Sequence, residues 1–142
     1  MITRMYYTIW SDCIKQIKSV PASKSRWKIY SLTIMSLLMG VNLMFLSTIF
    51  QRHILGIYIY HLEINFFSGN TINTILESFI LFMLPMMLIN YFLIFRKDRY
   101  LRFIDKYKFY NGKYFLKYLL ASLWIPIFLL LFGMLYIKLF NV

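Results

Sequence analysis

Acidic residues are scarce in this 142-residue chain: five Asp and Glu stand against sixteen Lys and Arg, a net charge of +11. Charge of either sign is thin, at 15% of residues, where a soluble domain of this size carries about 25%. That leaves too little polar surface to wrap a water-soluble globule. A single cysteine, Cys13, excludes an internal disulfide. The five acids, Asp12, Glu63, Glu77, Asp98 and Asp105, are scattered and offer no close pair for acid–base work. No Gly-rich phosphate loop, nucleophile elbow or metalloprotease helix motif occurs. These absences predict a non-enzymatic protein without a cofactor.

What is abundant is apolar. Hydrophobic residues make up 61% of the chain and aromatics 20%, and mean hydropathy is +0.63. Disordered chains lack such a store of hydrophobics. A nucleic-acid module would account for the positive charge but not for the hydropathy, and no nucleic-acid-binding motif is present. A membrane protein with its charges outside the bilayer accommodates both.

Crossing a hydrocarbon core of about 30 Å takes about 20 mostly apolar residues in a helix. Three segments qualify: 29–50, which has no ionisable residue; 74–95, with Glu77 near its start; and 118–137, bracketed by Lys117 and Lys138. The expected fold is all-α, a polytopic membrane domain with three transmembrane helices and an N-terminal amphipathic interfacial helix over 2–20. In that helix Ile2, Met5, Tyr6, Ile9, Trp10, Cys13, Ile14 and Ile17 recur at steps of three and four, while Arg4, Thr8, Ser11, Asp12, Lys15 and Lys18 fill the other face. The apolar stripe suits the headgroup layer or a docked partner protein. Basic and acidic interruptions within the first twenty residues argue against a cleavable signal peptide.

Basic residues set the orientation. Six precede the first span and seven lie in the basic loop 96–113, namely Arg96, Lys97, Arg99, Arg102, Lys106, Lys108 and Lys113. The outer loop 51–73 has only Arg52. The positive-inside rule then predicts a cytoplasmic N-terminus and an external C-terminus. Abundant Ile, Asn, Lys, Tyr and Phe, which suit an AT-rich bacterial genome, point to a bacterial cytoplasmic (inner) membrane. Anionic headgroups are the expected partner of Arg96, Lys97, Arg99, Arg102, Lys106 and Lys108, at about 1 kcal/mol per charge near the surface. Within the loop, Tyr100, Leu101, Ile104 and Tyr107 carry a weak helical period, and Asn111-Gly112 marks a turn.

Several single residues invite a chemical reading. Glu77 lies inside a span, where acids suggest function, yet Thr74-x-x-Glu77 has the form of a capping box at a helix start. A Glu77–Lys138 pair near the outer boundary is the other structural reading. Asn42 and Asn90 are polar residues deep in the spans, about 20 Å and 8 Å from the cytoplasmic boundary, too far apart to bond each other. Pro85 and Pro126 are expected to kink their helices. Ser36, Gly40 and Ser47 share one face of the first span and form a small-residue contact for helix packing. His53, His61 and Glu63 fall short of a zinc site, which wants three ligands in fixed geometry. Met35/Met39 and Met83/Met86 have the spacing for Cu(I), but packing is the simpler role.

These features predict an accessory or interaction subunit that docks beside a larger membrane-protein partner in a bacterial envelope complex, or forms a homo-oligomer. Two further readings fit the same residues: an immunity protein against a membrane-active toxin, and an oligomeric channel or transporter subunit.

Overall fold

The computed structural model describes residues 2–51 and 70–140. Every regular element among them is a helix. In order they are α1 (Ile2–Ser19), α2 (Trp27–Phe50), α3 (Asn70–Ser78), α4 (Leu84–Asn90), α5 (Tyr100–Ile104) and α6 (Lys113–Phe140). Wider π-helical turns, Phe79–Met83 and Tyr91–Phe95, join α3 to α4 and continue α4 toward a 3-10 turn at Arg96–Asp98.

Two helices are long and apolar enough to cross a membrane: Trp27–Phe50 and the composite Thr71–Asp98. α6 is 28 residues long and contains the expected third segment. α2 lies between the composite helix on one side and α6 on the other, while α1 packs on α2, α5 and α6 at one end.

The composite helix departs from a regular α-helix for identifiable reasons. Pro85 has no N–H, and its ring crowds the carbonyl four residues back. The turn ahead of it widens, so that the Leu84 N–H bonds Phe79 O, five residues back. The second widening ends where the Arg96 N–H bonds Tyr91 O. Beyond it Lys97 and Asp98 both adopt left-handed backbone, with φ of 53° and 50°, which ends the helix. Pro126 lies within α6, which continues through it.

The buried apolar residues gather at the α1 end. Ile9, Trp10, Cys13 and Ile14 of α1 pack with Met35 of α2, Ile94 and Phe95 of the composite helix, and Tyr100 and Phe103 at α5. Trp10 meets Phe95 edge-on at 5.8 Å, and Trp27 meets Tyr100 edge-on at 5.1 Å. Aromatic pairs of this kind add about 0.5–1.5 kcal/mol each beyond their area. Away from this end the helices expose apolar flanks, including Leu46 and Phe50 of α2 and Trp124, Phe128 and Phe132 of α6.

Four expectations are corrected here. From Ile9 to Ile17 the apolar stripe of α1 is covered by the chain's own helices, and Ser11 and Asp12, expected on the polar face, are buried with it. The helix is wedged between α2 and α6, so both flanks of the stripe meet protein. Second, the chain is already helical from Asn70, which puts Thr74 and Glu77 inside a helix and removes the capping box. Third, Glu77 and Lys138 form no ion pair with each other; the pair among the described residues is Lys28 with Asp98 at 3.2 Å. Fourth, of the residues with a helical period in the basic loop, Tyr100, Ile104 and Tyr107 pack on the core beside Phe103, but Leu101 is 53% exposed. Most of the outer loop, with His53, His61 and Glu63, lies outside the described residues.

Candidate functional site

The polar side chains deep in the spans are gathered into two clusters. In the first, Asn90 is fully buried and ties three elements together. Its Nδ2 donates to Ser36 Oγ at 3.0 Å and to Met39 Sδ at 3.4 Å, and its Oδ1 accepts from the Tyr6 hydroxyl at 3.0 Å. Asn90 is placed by the composite helix, Ser36 and Met39 by successive turns of one α2 face, and Tyr6 by the first turns of α1. Burial pushes the Tyr6 hydroxyl up to about 12, so the cluster has no group that exchanges a proton near neutrality. It fixes helices, at about 0.6–2 kcal/mol per interhelical bond in an apolar setting.

The second cluster joins α2 to α6. Asn42 Nδ2 donates to Ser122 Oγ at 2.9 Å and reaches the Tyr118 hydroxyl at 3.5 Å. Asn42 and Asn90 thus serve opposite sides of α2.

A third arrangement centres on Asp12. Its carboxylate is fully buried and accepts four backbone N–H groups ahead of and within the first turn of α6. Tyr110 and Gly112 donate to Oδ1 at 2.9 and 3.1 Å, and Tyr114 and Phe115 to Oδ2 at 2.9 and 3.3 Å. Asn111 and Gly112, with φ of 53° and 73°, turn the chain so that these donors converge. A helix start carries free N–H groups and a partial positive charge, and here a carboxylate from another helix satisfies both. Gly112, which has no side chain to cap with, directly precedes α6; that was the signal in the sequence that the cap must come from elsewhere. Nearby, Lys15 Nζ donates to Tyr107 O at 2.8 Å. Trp10 Nε1 and Ser11 Oγ are buried without a hydrogen bond among the described residues.

The other residues singled out from sequence fall as follows. Gly40 lies where α2 crosses the composite helix; a Cβ there would sit 3.0 Å from Met83 Cγ and 3.2 Å from both Met83 Cα and Phe82 O. Ser36 is buried at the same crossing, and Ser47 lies further along α2, half-buried. Glu77 is half-buried and Lys138 exposed. Arg96, Lys97, Arg99, Arg102, Lys106 and Lys108 are all exposed. Arg99 Nη1 donates to Phe92 O at 3.2 Å, and Arg96 lies 5.2 Å from the Phe92 ring centre. Met35 and Met39 are used in packing and in the Asn90 cluster. Among the described residues no group of three or more His, Cys, Asp or Glu could hold a metal ion.

An open apolar groove of about 490 Å³ runs between α2 and the α3 end of the composite helix. Gly40, Thr74 and Ser78 line it together with Leu37, Met44 and Phe79. In comparisons with known proteins the chain matches no family model, no curated protein and no solved structure.

Proposed function

We propose that the chain is a non-enzymatic integral membrane protein that serves as an accessory subunit of a larger bacterial envelope complex. In this reading α6 is a third span, the α1 end and the basic loop face the cytoplasm, and the protein resides in the inner membrane. The observation that carries the reading is how little of its spanning helices the chain covers by itself. Only 22% and 17% of the most apolar windows of the two long helices are buried within it. The groove beside Gly40 supports it further. Its exposed apolar side chains Leu37, Met44 and Phe79 offer packing to a neighbouring helix, which is how helices associate where lipid supplies no hydrophobic driving force. The polar groups that would otherwise nominate chemistry, Asn42, Asn90 and Asp12, are engaged in holding the chain's own helices together.

Crosslinking in native membranes followed by mass spectrometry tests the proposal. A stoichiometric larger membrane protein crosslinked to residues of the groove is the expected result. Recovery of monomer and lipid alone would sink it. Homo-oligomers that conduct ions in liposomes would favour the channel reading, and protection of cells from one toxin the immunity reading.

A further inference from the structure

The loop between the composite helix and α6 builds more than a general basic surface. Two hollows flank its Lys106 and Tyr107, which line both, and together they make a two-part cleft against α1. The larger, about 440 Å³, adds Arg4 and Lys108; the smaller, about 270 Å³, adds Arg99 and Arg102. Binding sites for small ligands have volumes of about 300–1,000 Å³. No acidic side chain is among the residues lining either hollow. Of the acids at this end, Asp98 pairs with Lys28 and Asp12 caps the start of α6.

The floor is held in place. Tyr7 stacks on Tyr107 at 6.4 Å and packs on Phe103 at 5.2 Å, while Lys15 pins the Tyr107 carbonyl. Arg99 gives one guanidinium nitrogen to Phe92 O, which orients the group and leaves most of its five N–H donors for a second acceptor. Guanidinium groups match phosphate oxygens in geometry as well as charge. The smaller hollow also includes Leu93, 40% exposed on the flank of the composite helix. Cations and an exposed apolar side chain therefore meet at the end of a spanning helix. That is the junction where the phosphate of a phospholipid joins its acyl chains.

We infer that this cleft binds the phosphate of an anionic phospholipid headgroup, with Arg102 and Lys106 as its central contacts and Leu93 along the chain beneath. The inference rests on the membrane reading above. If the protein is released from membranes by alkaline carbonate, that reading fails; if it stays embedded without headgroup preference, this inference alone fails.

The test is native mass spectrometry of the full-length chain in detergent, titrated with phosphatidylglycerol or with phosphatidylcholine of the same acyl chains. Preferential retention of phosphatidylglycerol is expected. Removing one headgroup contact corresponds to about a fivefold loss. Arg102→Gln with Lys106→Gln should thus weaken phosphatidylglycerol binding about 25-fold. Lys24→Gln with Arg26→Gln, two exposed charges outside the cleft, should leave it nearly unchanged. Equal losses in the two pairs, equal retention of both lipids, or displacement of the lipid by millimolar inorganic phosphate would each overturn the inference. Should the cleft pair lose helix content by circular dichroism, the single variants replace it, each expected to lose about fivefold.

Discussion

Asp12 is the residue on which two ends of the chain depend. Replacing it by Asn keeps one acceptor oxygen and leaves two buried N–H donors facing an amide nitrogen. Unsatisfied buried donors cost about 1–3 kcal/mol each, so Asp12→Asn is expected to destabilise the protein by about 2–4 kcal/mol, and Asp12→Ala by more. Thermal unfolding in micelles, followed by helix content, measures it. An unchanged midpoint would mean that water reaches those amides. Tyr6 gives a second prediction, in pH. Its hydroxyl titrates near 12 when folded against about 10 when unfolded. The native state therefore binds the proton more tightly, and the contribution is fully present below pH 10. Between pH 10 and 12 the unfolded chain ionises first and stability falls. Tyr6→Phe should flatten part of that slope in denaturation midpoints taken across the window.

At the scale of elements, the crossing of α2 with the composite helix depends on Gly40. A side chain there meets backbone at 3.2 Å, and backbone does not rotate out of the way. Gly40→Leu is expected to cost about 1–3 kcal/mol through forced separation, read as lower thermal stability and as weaker disulfide trapping between cysteines placed on the two helices. The small-residue pattern around Ser36 and Gly40 was legible in the sequence because close approach demands small size. So were the long apolar stretches of α2 and the composite helix, and the turn at Asn111-Gly112. The cover over α1 was not legible: periodicity reports which face is apolar, and lipid, partner and own chain all satisfy it. Asp12 was misplaced for a related reason. An acid among polar neighbours on a helical wheel reads as solvated, and only the distant start of α6, about a hundred residues on, gives it buried donors. The π turns were hidden as well, since Pro85 announces a disturbance but not whether the helix bends or widens.

Over the whole molecule, the two ends are built on different principles. The α1 end has an aromatic core of the kind made by soluble proteins, in which each large side chain contributes about 1.5–3 kcal/mol on burial. In the opposite halves, the described residues include the close contact of Gly40 with Met83 and the Asn42–Ser122 hydrogen bond, with apolar flanks turned outward. Cys13 reports on the first part. It is fully buried, and burial raises its thiol well above the ordinary range, which suppresses the reactive thiolate. A maleimide reagent is expected to leave Cys13 unmodified in micelles until α1 detaches. Rapid labelling of the folded protein would show that α1 undocks while the remaining helices stay formed. Labelling that appears only with loss of helix content would show that α1 opens with the whole.

The four-amide seat of Asp12 also constrains the order of manufacture. α1 precedes its partners by about a hundred residues, so its carboxylate meets them only once residues 110 to 115 have been made. α1 can dock on α2 and the composite helix as these emerge, but its buried carboxylate lacks these donors until α6 begins. The start of α6 thus completes the seating of α1 by bringing the donors that its acid needs.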